Sequence, residues 1–341
     1  MKKISIIIPH YKEKENIIDF NLKMISLQQD IDFNDIEVVI VNDGPESYKF
    51  PSKYLKSFSP LYIRQLNLEK NVGPGLARQY GIDNTNSDYI MFIDVDDGFS
   101  SVISLYNYLK VMRDHPDADL IEADFIYETL ESIDSMNLKV ERNTMSKNTW
   151  LHSKLFKREF LKKYDIHFLE DVRLSEDVAF CTMMTVKDIK RYFIPYDCYF
   201  YKTYNNKSSL TKKYSQDKIR LSHIDASIKS FDFCKKHKEN YEELDKKLFK
   251  TLTYCYFLLY SDWDNENNKK EFTNMLLHMF VDNFNIYNQL TEEEKAYSYL
   301  DQLKDYLRVP YLITTDKIEE LEKTQYSDLE EYFKDILKKS I

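Results

Sequence analysis

The sequence predicts an α/β fold, a mostly parallel sheet with helices on both faces, followed by a second part that is all helix. Short apolar runs alternate with helical patterns along the first third of the chain, the signature of a parallel sheet. Charged clusters follow directly on those runs, at the strand ends where such sheets gather their ligand-binding loops. All five glycines (Gly44, Gly73, Gly75, Gly81 and Gly98) fall in the first hundred residues. Glycine serves sharp turns and close backbone approach, so the ligand-facing loops are expected there.

The elements follow in order. Ile4–Ile8 is an apolar run stopped by Pro9, a buried strand. Residues 16–28 carry helical spacing through Ile17, Phe20, Met24 and Leu27. Ile36–Val41 is a second buried strand and Leu61–Leu66 a weaker third. Gly75–Ile82 reads as a helix, Tyr89–Ile93 as a fourth strand, Val102–Met112 as an amphipathic helix and Leu120–Ile126 as a fifth strand. From about Ser215 glycine is absent and helical spacing dominates, as in Leu248, Leu252, Cys255, Leu259 and then Phe272, Leu276, Met279, Phe280. This predicts a bundle of roughly five or six helices. The expected domains are residues 1–213 and 214–341.

Bulk composition narrows the function classes. A net charge of −9 disfavours an extended nucleic-acid surface, since each phosphate contact needs a Lys or Arg. The apolar run in MKKISIIIPHY is too short for a signal peptide, and nothing elsewhere approaches the length of a membrane span. Cys181, Cys198, Cys234 and Cys255 form no CxxC pair, so reduced cysteines in a cytoplasmic protein are expected.

Chemistry concentrates in three stretches. IMFIDVDDG ends a buried strand in Asp94, Asp96 and Asp97. If strand geometry persisted, alternation would put Asp94 and Asp96 on one side, a pair suited to a hard cation such as Mg²⁺ or Mn²⁺. VVIVNDGP offers Asp43 as an acceptor for a nucleobase N–H, and NVGPGLAR places Arg78 on the first turns of a helix where a diphosphate could lie. A solvated acidic turn, a phosphatase and a sugar-nucleotide transferase all fit IMFIDVDDG in isolation. The phosphatase needs a hydroxyl residue two positions after the second Asp, and Gly98 stands there.

The ordered series SIIIPHYKEKENI, VVIVNDGP, NVGPGLARQYGI, YIMFIDVDDGF and LSEDVAF resembles the family-2 glycosyltransferases of the GT-A fold over roughly residues 1–212. The resemblance implies an inverting transfer from a nucleotide-activated sugar, assisted by a divalent metal, Mn²⁺ or Mg²⁺. Carried over by position, Pro9 and Tyr11 line the base and ribose pocket, Asp43 reads the base, Arg78 faces the nucleotide, and Asp96 with Asp94 holds the metal. In the pair Glu176-Asp177, Asp177 is the expected general base. An inverting displacement needs such a base on the acceptor side; the plain alternative is a capped helix start, Ser175-Glu176-Asp177. His152 and Lys154 resemble a segment facing acceptor or sugar, and Ser209, in NNKSSLT, a loop that closes near the diphosphate. Asn42 stands where the family often has Asp, and Gln79 where it usually has Asn.

The expected donor is a UDP-sugar, because an Asp at position 43 suits the N3–H of uracil. A glycan or protein acceptor is expected, with the C-terminal helices shaping the acceptor side or mediating self-association. The rivals are a non-catalytic sugar-nucleotide sensor or scaffold and, further off, the phosphatase or a DNA-modifying transferase.

Overall fold

A computed structural model of the chain describes residues 2–132, 137–143, 149–186, 189–202, 214–237 and 262–282, with single positions at 248, 251, 255 and 258. The chain divides into two compact units. One comprises Met1–Met184 and Asp188–Ser209, the other Thr185–Lys187 and Leu210–Ile341.

The first unit is built on a mixed sheet. Strand β1 (Ile4–His10) lies between β2 (Ile36–Asn42) and β4 (Tyr89–Phe92), and β3 (Ile63–Asn67) extends the sheet beyond β2. These four strands are parallel. Ile4 pairs with Ile36 and with Tyr89, and His10 with Asn42, so the carboxyl ends of β1, β2 and β4 emerge along one edge. All seven residues of β2 are buried, the mark of a strand covered on both faces. Helix α1 (Glu15–Ser26) sets Ile18, Leu22 and Ile25 into the same core as Ile4, Ile6 and Ile8. Alternation points Ile7 the other way, and there α3 (Pro74–Asp83) approaches so closely that a Cβ on Gly81 would lie 2.6 Å from Ile7 Cγ2. The helices thus cover both faces.

Beyond β4 the sheet turns antiparallel. β7 (Lys154–Lys157) runs against both β4 and β5 (Leu120–Ser132), β6 (Asn137–Asn143) pairs antiparallel with β5, and β8 (Arg191–Tyr201) runs parallel to β5. Helices α4 (Ser104–Asp114), α5 (Arg158–Lys163) and α6 (Glu176–Met183) complete the unit, after a five-residue helix α2 (Ser52–Lys56). The third strand begins two residues later than the sequence suggested; Tyr62 just before it is exposed, although its carbonyl accepts from Val38 N at 2.9 Å. β6, β7 and β8 have no counterpart in the sequence reading. β7 is only four residues long, and β8 contains Pro195 and slips register opposite Ala123–Phe125, which blurs the period-two pattern.

The second unit contains the helices Gln216–Lys236 and Glu266–Asp282. Ser215 caps the first by accepting from Lys218 N. Asp217, fully buried, accepts from the backbone N–H groups of Asp264 and Asn265, both at 3.0 Å, which fastens this helix to the start of the other. Phe272, Leu276 and Met279 are buried as their spacing implied, and so are Leu248 and Cys255. Leu252, Leu259 and the helices expected after 282 lie outside the described residues. Among the described residues, no helix is long and apolar enough to cross a membrane.

Candidate active site

At the end of β1 and β2 the chain builds a tight polar corner. His10 and Asn42 meet across the strand ends, His10 Nδ1 to Asn42 Oδ1 at 2.7 Å. Asp43 is buried and accepts three hydrogen bonds: from Val72 N at 2.7 Å on Oδ1, and from Gly73 N and Asn71 Nδ2, both at 2.9 Å, on Oδ2. Burial raises its pKa, and the two backbone donors work against that rise. Each carboxylate oxygen has two lone pairs, so Oδ1 keeps room for a further donor. Gly44 follows at φ +99°, and a Cβ there would sit 2.7 Å from Asn71 N. Only glycine allows this close pairing of the 42–44 and 71–73 turns. Pro9, half-buried, pairs with Val41, and Tyr11 bonds through its hydroxyl to Glu46 at 3.2 Å beside the Lys12 ammonium.

The carboxylates after β4 fold into a turn rather than continuing the strand. β4 ends at Phe92, and Asp97 N donates to Asp94 O at 3.0 Å. Alternation therefore does not extend to Asp96, and the turn brings Asp97 towards Asp94 instead. Asn21 Nδ2 holds the Asp94 carbonyl at 2.9 Å. Tyr199, from β8, accepts from Asp94 N and donates to Asp97 Oδ2 at 2.6 Å, while Lys202 N donates to Asp97 Oδ1 at 2.9 Å.

Arg78 Nη2 donates to Asp94 Oδ1 at 2.6 Å and Nη1 to Glu176 Oε1 at 2.7 Å. The guanidinium of Arg78, a residue only 5 % exposed, therefore bridges the acidic turn and the start of α6. Burial works to raise the pKa of Asp94, but the Arg78 charge holds it below the ordinary value. Asp96 is pushed up to about 6 by burial and by Asp94, and Asp97 is raised well above its ordinary value by burial and by the Asp94 and Asp96 charges. One guanidinium does not neutralise this cluster.

His152 closes the group. Its ring stacks on Tyr201 at 4.7 Å and tilts over Tyr199 at 5.0 Å, and burial lowers its pKa to about 4, leaving a neutral imidazole. Asp94, Asp97 and His152 each offer one ligand atom, all within 4.8 Å of one another. His152 Nδ1 is buried with no hydrogen-bond partner. Two carboxylate oxygens, a neutral imidazole and uncompensated negative charge fit a divalent cation. Lys154 is buried, donates to Trp150 O at 2.6 Å and lies 3.8 Å from Glu122, and burial lowers its pKa. Ser209 lies outside the described residues.

Asp177 stands in the first turn of α6, and its Oδ1 accepts from Val178 N at 2.8 Å. Burial, then the neighbouring Glu176 charge, lifts its pKa to about 7. Ser175 makes no side-chain cap bond, so the capped-start alternative lacks its hydrogen bond. Ser175 instead adopts left-handed backbone at φ 58°, a strain of order 1–3 kcal/mol that clusters at functional sites. Gly75 lets the first turn of α3 abut this segment; a Cβ there would lie 2.9 Å from Glu176 Cγ.

The structure thus gathers Asp43, Arg78, Asp94, Glu176 and Asp177 along one edge of the sheet. Sequence reasoning gave no role to Asn71, Asp97, Arg173 or Tyr199. Asp97 was visible as the third carboxylate of its run; Tyr199 carried no local signal.

The sequence profile "Glycosyl transferase family 2" matches residues 5–193. The chain belongs to glycosyl transferase family 2. As a glycosyltransferase it is 24% identical over 261 residues to the glycosyltransferase YibD of Escherichia coli (strain K12), covering 71% of this chain and 72% of that protein. It is 24% identical over 227 residues to the poly(ribitol-phosphate) beta-N-acetylglucosaminyltransferase TarS of Staphylococcus aureus (strain Mu50), 63% of this chain but only 38% of TarS. The crystal structure of S. aureus TarS 1–349 in complex with UDP-GlcNAc superposes with a TM-score of 0.55 at 17% identity, over 94% of this chain and 83% of the other. A mannosyltransferase from Pyrobaculum calidifontis, solved with GDP-Man and Mn²⁺, gives 0.51 at 15% identity, over 88% and 85%. At such identities the likeness establishes the fold, and this family-2 enzyme has the GT-A architecture.

Proposed function

We propose that this glycosyltransferase moves a sugar from a nucleotide-sugar donor, a UDP-sugar, to a hydroxyl group of a glycan or protein acceptor, with inversion at the anomeric carbon. The observation that carries the reading is Asp177, a half-buried carboxylate whose pKa is lifted to about 7 beside a bridged acidic cluster. A base working near neutral pH needs such a value, and a sugar-nucleotide sensor would not.

Pro9 and Tyr11 flank the base and ribose, and Asp43 Oδ1 accepts the base N–H. Arg78 and Asp94 face the nucleotide. Asp177 takes the proton of the attacking hydroxyl as the acceptor oxygen bonds to the anomeric carbon and the bond from that carbon to the diphosphate oxygen breaks. Mn²⁺ or Mg²⁺, held by Asp94 with Asp97 and His152, or with Asp96 as the sequence suggested, would supply charge neutralisation for the leaving diphosphate. His152 and Lys154 lie on the sugar or acceptor side. UDP-GlcNAc in the TarS complex and Mn²⁺ in the mannosyltransferase complex support the choice of donor and cation.

Residues 1–213 form the catalytic part in this proposal, and 214–341 shape the acceptor side or mediate self-association. The four free, buried cysteines agree with a reducing, cytoplasmic setting. Incubation with UDP-GlcNAc and Mn²⁺ should release UDP slowly without acceptor. Asp177→Asn should lower that rate by roughly 10²–10⁴-fold with UDP affinity nearly unchanged. Loss of affinity together with rate would mean that Asp177 is structural.

A further inference from the structure

The segment that carries Asp177 is tied to the turn that holds Asp43. Arg173 Nη2 donates to Asn71 Oδ1 at 2.6 Å, and the other end of the same amide, Nδ2, donates to Asp43 Oδ2 at 2.9 Å. Arg173 Cγ would lie 3.4 Å from a Cβ on Gly73, where φ is +92°, so its stem packs along the turn whose N–H groups bind Asp43. Five residues beyond Gly73, Arg78 Nη1 makes the matching tie to Glu176 Oε1. Two cations, one from each segment, therefore clasp residues 71–78 to residues 173–176.

An amide has one accepting and one donating end, and which way it faces is set by its partners. With Arg173 against the oxygen, Asn71 must turn its NH₂ to Asp43. Without that cation the amide oxygen loses its partner, and the amide is held by its bond to the Asp43 carboxylate alone. We propose that Arg173 is a positioning residue that couples donor binding to base placement: through Asn71 it sets the face Asp43 presents to the nucleobase, and it docks the Asp177 segment on the same turn. The proposal rests on the nucleotide-sugar reading above and adds to it a residue outside the family motifs.

The test uses the full chain, UDP calorimetry and UDP release from UDP-GlcNAc in Mn²⁺. Arg173→Ala should weaken UDP binding roughly three- to tenfold and lower the hydrolysis kcat by at least as much, with the thermal midpoint close to wild type. Arg173→Lys should recover part of both losses, because one ammonium donor can still reach the amide oxygen. Asn71→Ala should weaken UDP binding similarly, and the double variant should be no worse than the worse single one. Should Arg173→Ala fail to fold, Arg173→Lys and Asn71→Ala carry the same comparison. Wild-type affinity and kcat in Arg173→Ala, or fully additive losses in the double variant, would overturn the coupling. A wild-type chain that binds no UDP would sink the donor reading itself, an outcome separable from the first by the unsubstituted protein alone.

Discussion

Gly75→Ala separates packing from propensity at the seam between donor and base. Gly75 is the second residue of α3, and its φ lies in the range open to any residue, so alanine should gain up to about 1 kcal/mol of helix propensity there. The added methyl would stand 2.9 Å from Glu176 Cγ, 3.0 Å from Glu176 Cβ and 3.4 Å from Phe168 Cδ1. Unstrained carbon contacts sit at roughly 3.5–4.0 Å, so Glu176 must retreat by about 0.5–1 Å. It cannot do so by a side-chain swing alone, because its Cβ is fixed by the left-handed Ser175 backbone and its carboxylate by Arg78. Overpacking of this kind costs roughly 1–3 kcal/mol, so the net destabilisation should be about 0–2 kcal/mol. The larger effect is on rate. Displacing the Glu176-Asp177 segment by that distance should lower donor hydrolysis roughly 10- to 100-fold. Thermal denaturation and UDP release, measured on the same preparation, read the two effects apart. A variant more stable than wild type with an unchanged rate would refute the packing argument.

Two further outcomes follow from the charges. Asp177 must be ionised to accept a proton, so the hydrolysis rate should climb as pH rises through about 7 and level off above it; in Asp177→Asn that limb should vanish. A pKa raised on folding means the folded state binds the extra proton between about 4 and 7, so the Asp177 contribution to stability should fall as pH rises across that window. His152→Ala should weaken Mn²⁺ binding by about tenfold or more in calorimetry while leaving metal-free UDP binding close to wild type; unchanged Mn²⁺ affinity would remove His152 from the ligand set.

The parallel half of the sheet was legible because each signal was local. Ile4–Ile8, Ile36–Val41 and Tyr89–Ile93 are apolar runs long enough to be strands, and each is followed at once by its polar cluster. Chain continuity alone puts His10, Asp43 and Asp94 at strand ends, and parallel pairing then aligns those ends. Beyond β4 only β5 was legible, as Leu120–Ile126, since the four residues of β7 and the bulged, proline-bearing β8 lack a readable period. The site divides in the same way. Residue types and their order nominated Asp43, Arg78, Asp94 and Asp177, whereas partners depend on contacts between segments far apart in the chain. Only the fold could set Arg78 against Glu176, Arg173 against Asn71 and Tyr199 against Asp97, separated by 98, 102 and 102 residues. The same holds for the acidic turn: its three carboxylates are written in sequence, but the hydrogen bond from Asp97 N to Asp94 O and the arrival of His152 decided which of them face one another. A strand's alternation is a local property of extended backbone, and it ceases to apply where tertiary hydrogen bonds bend the chain into a turn.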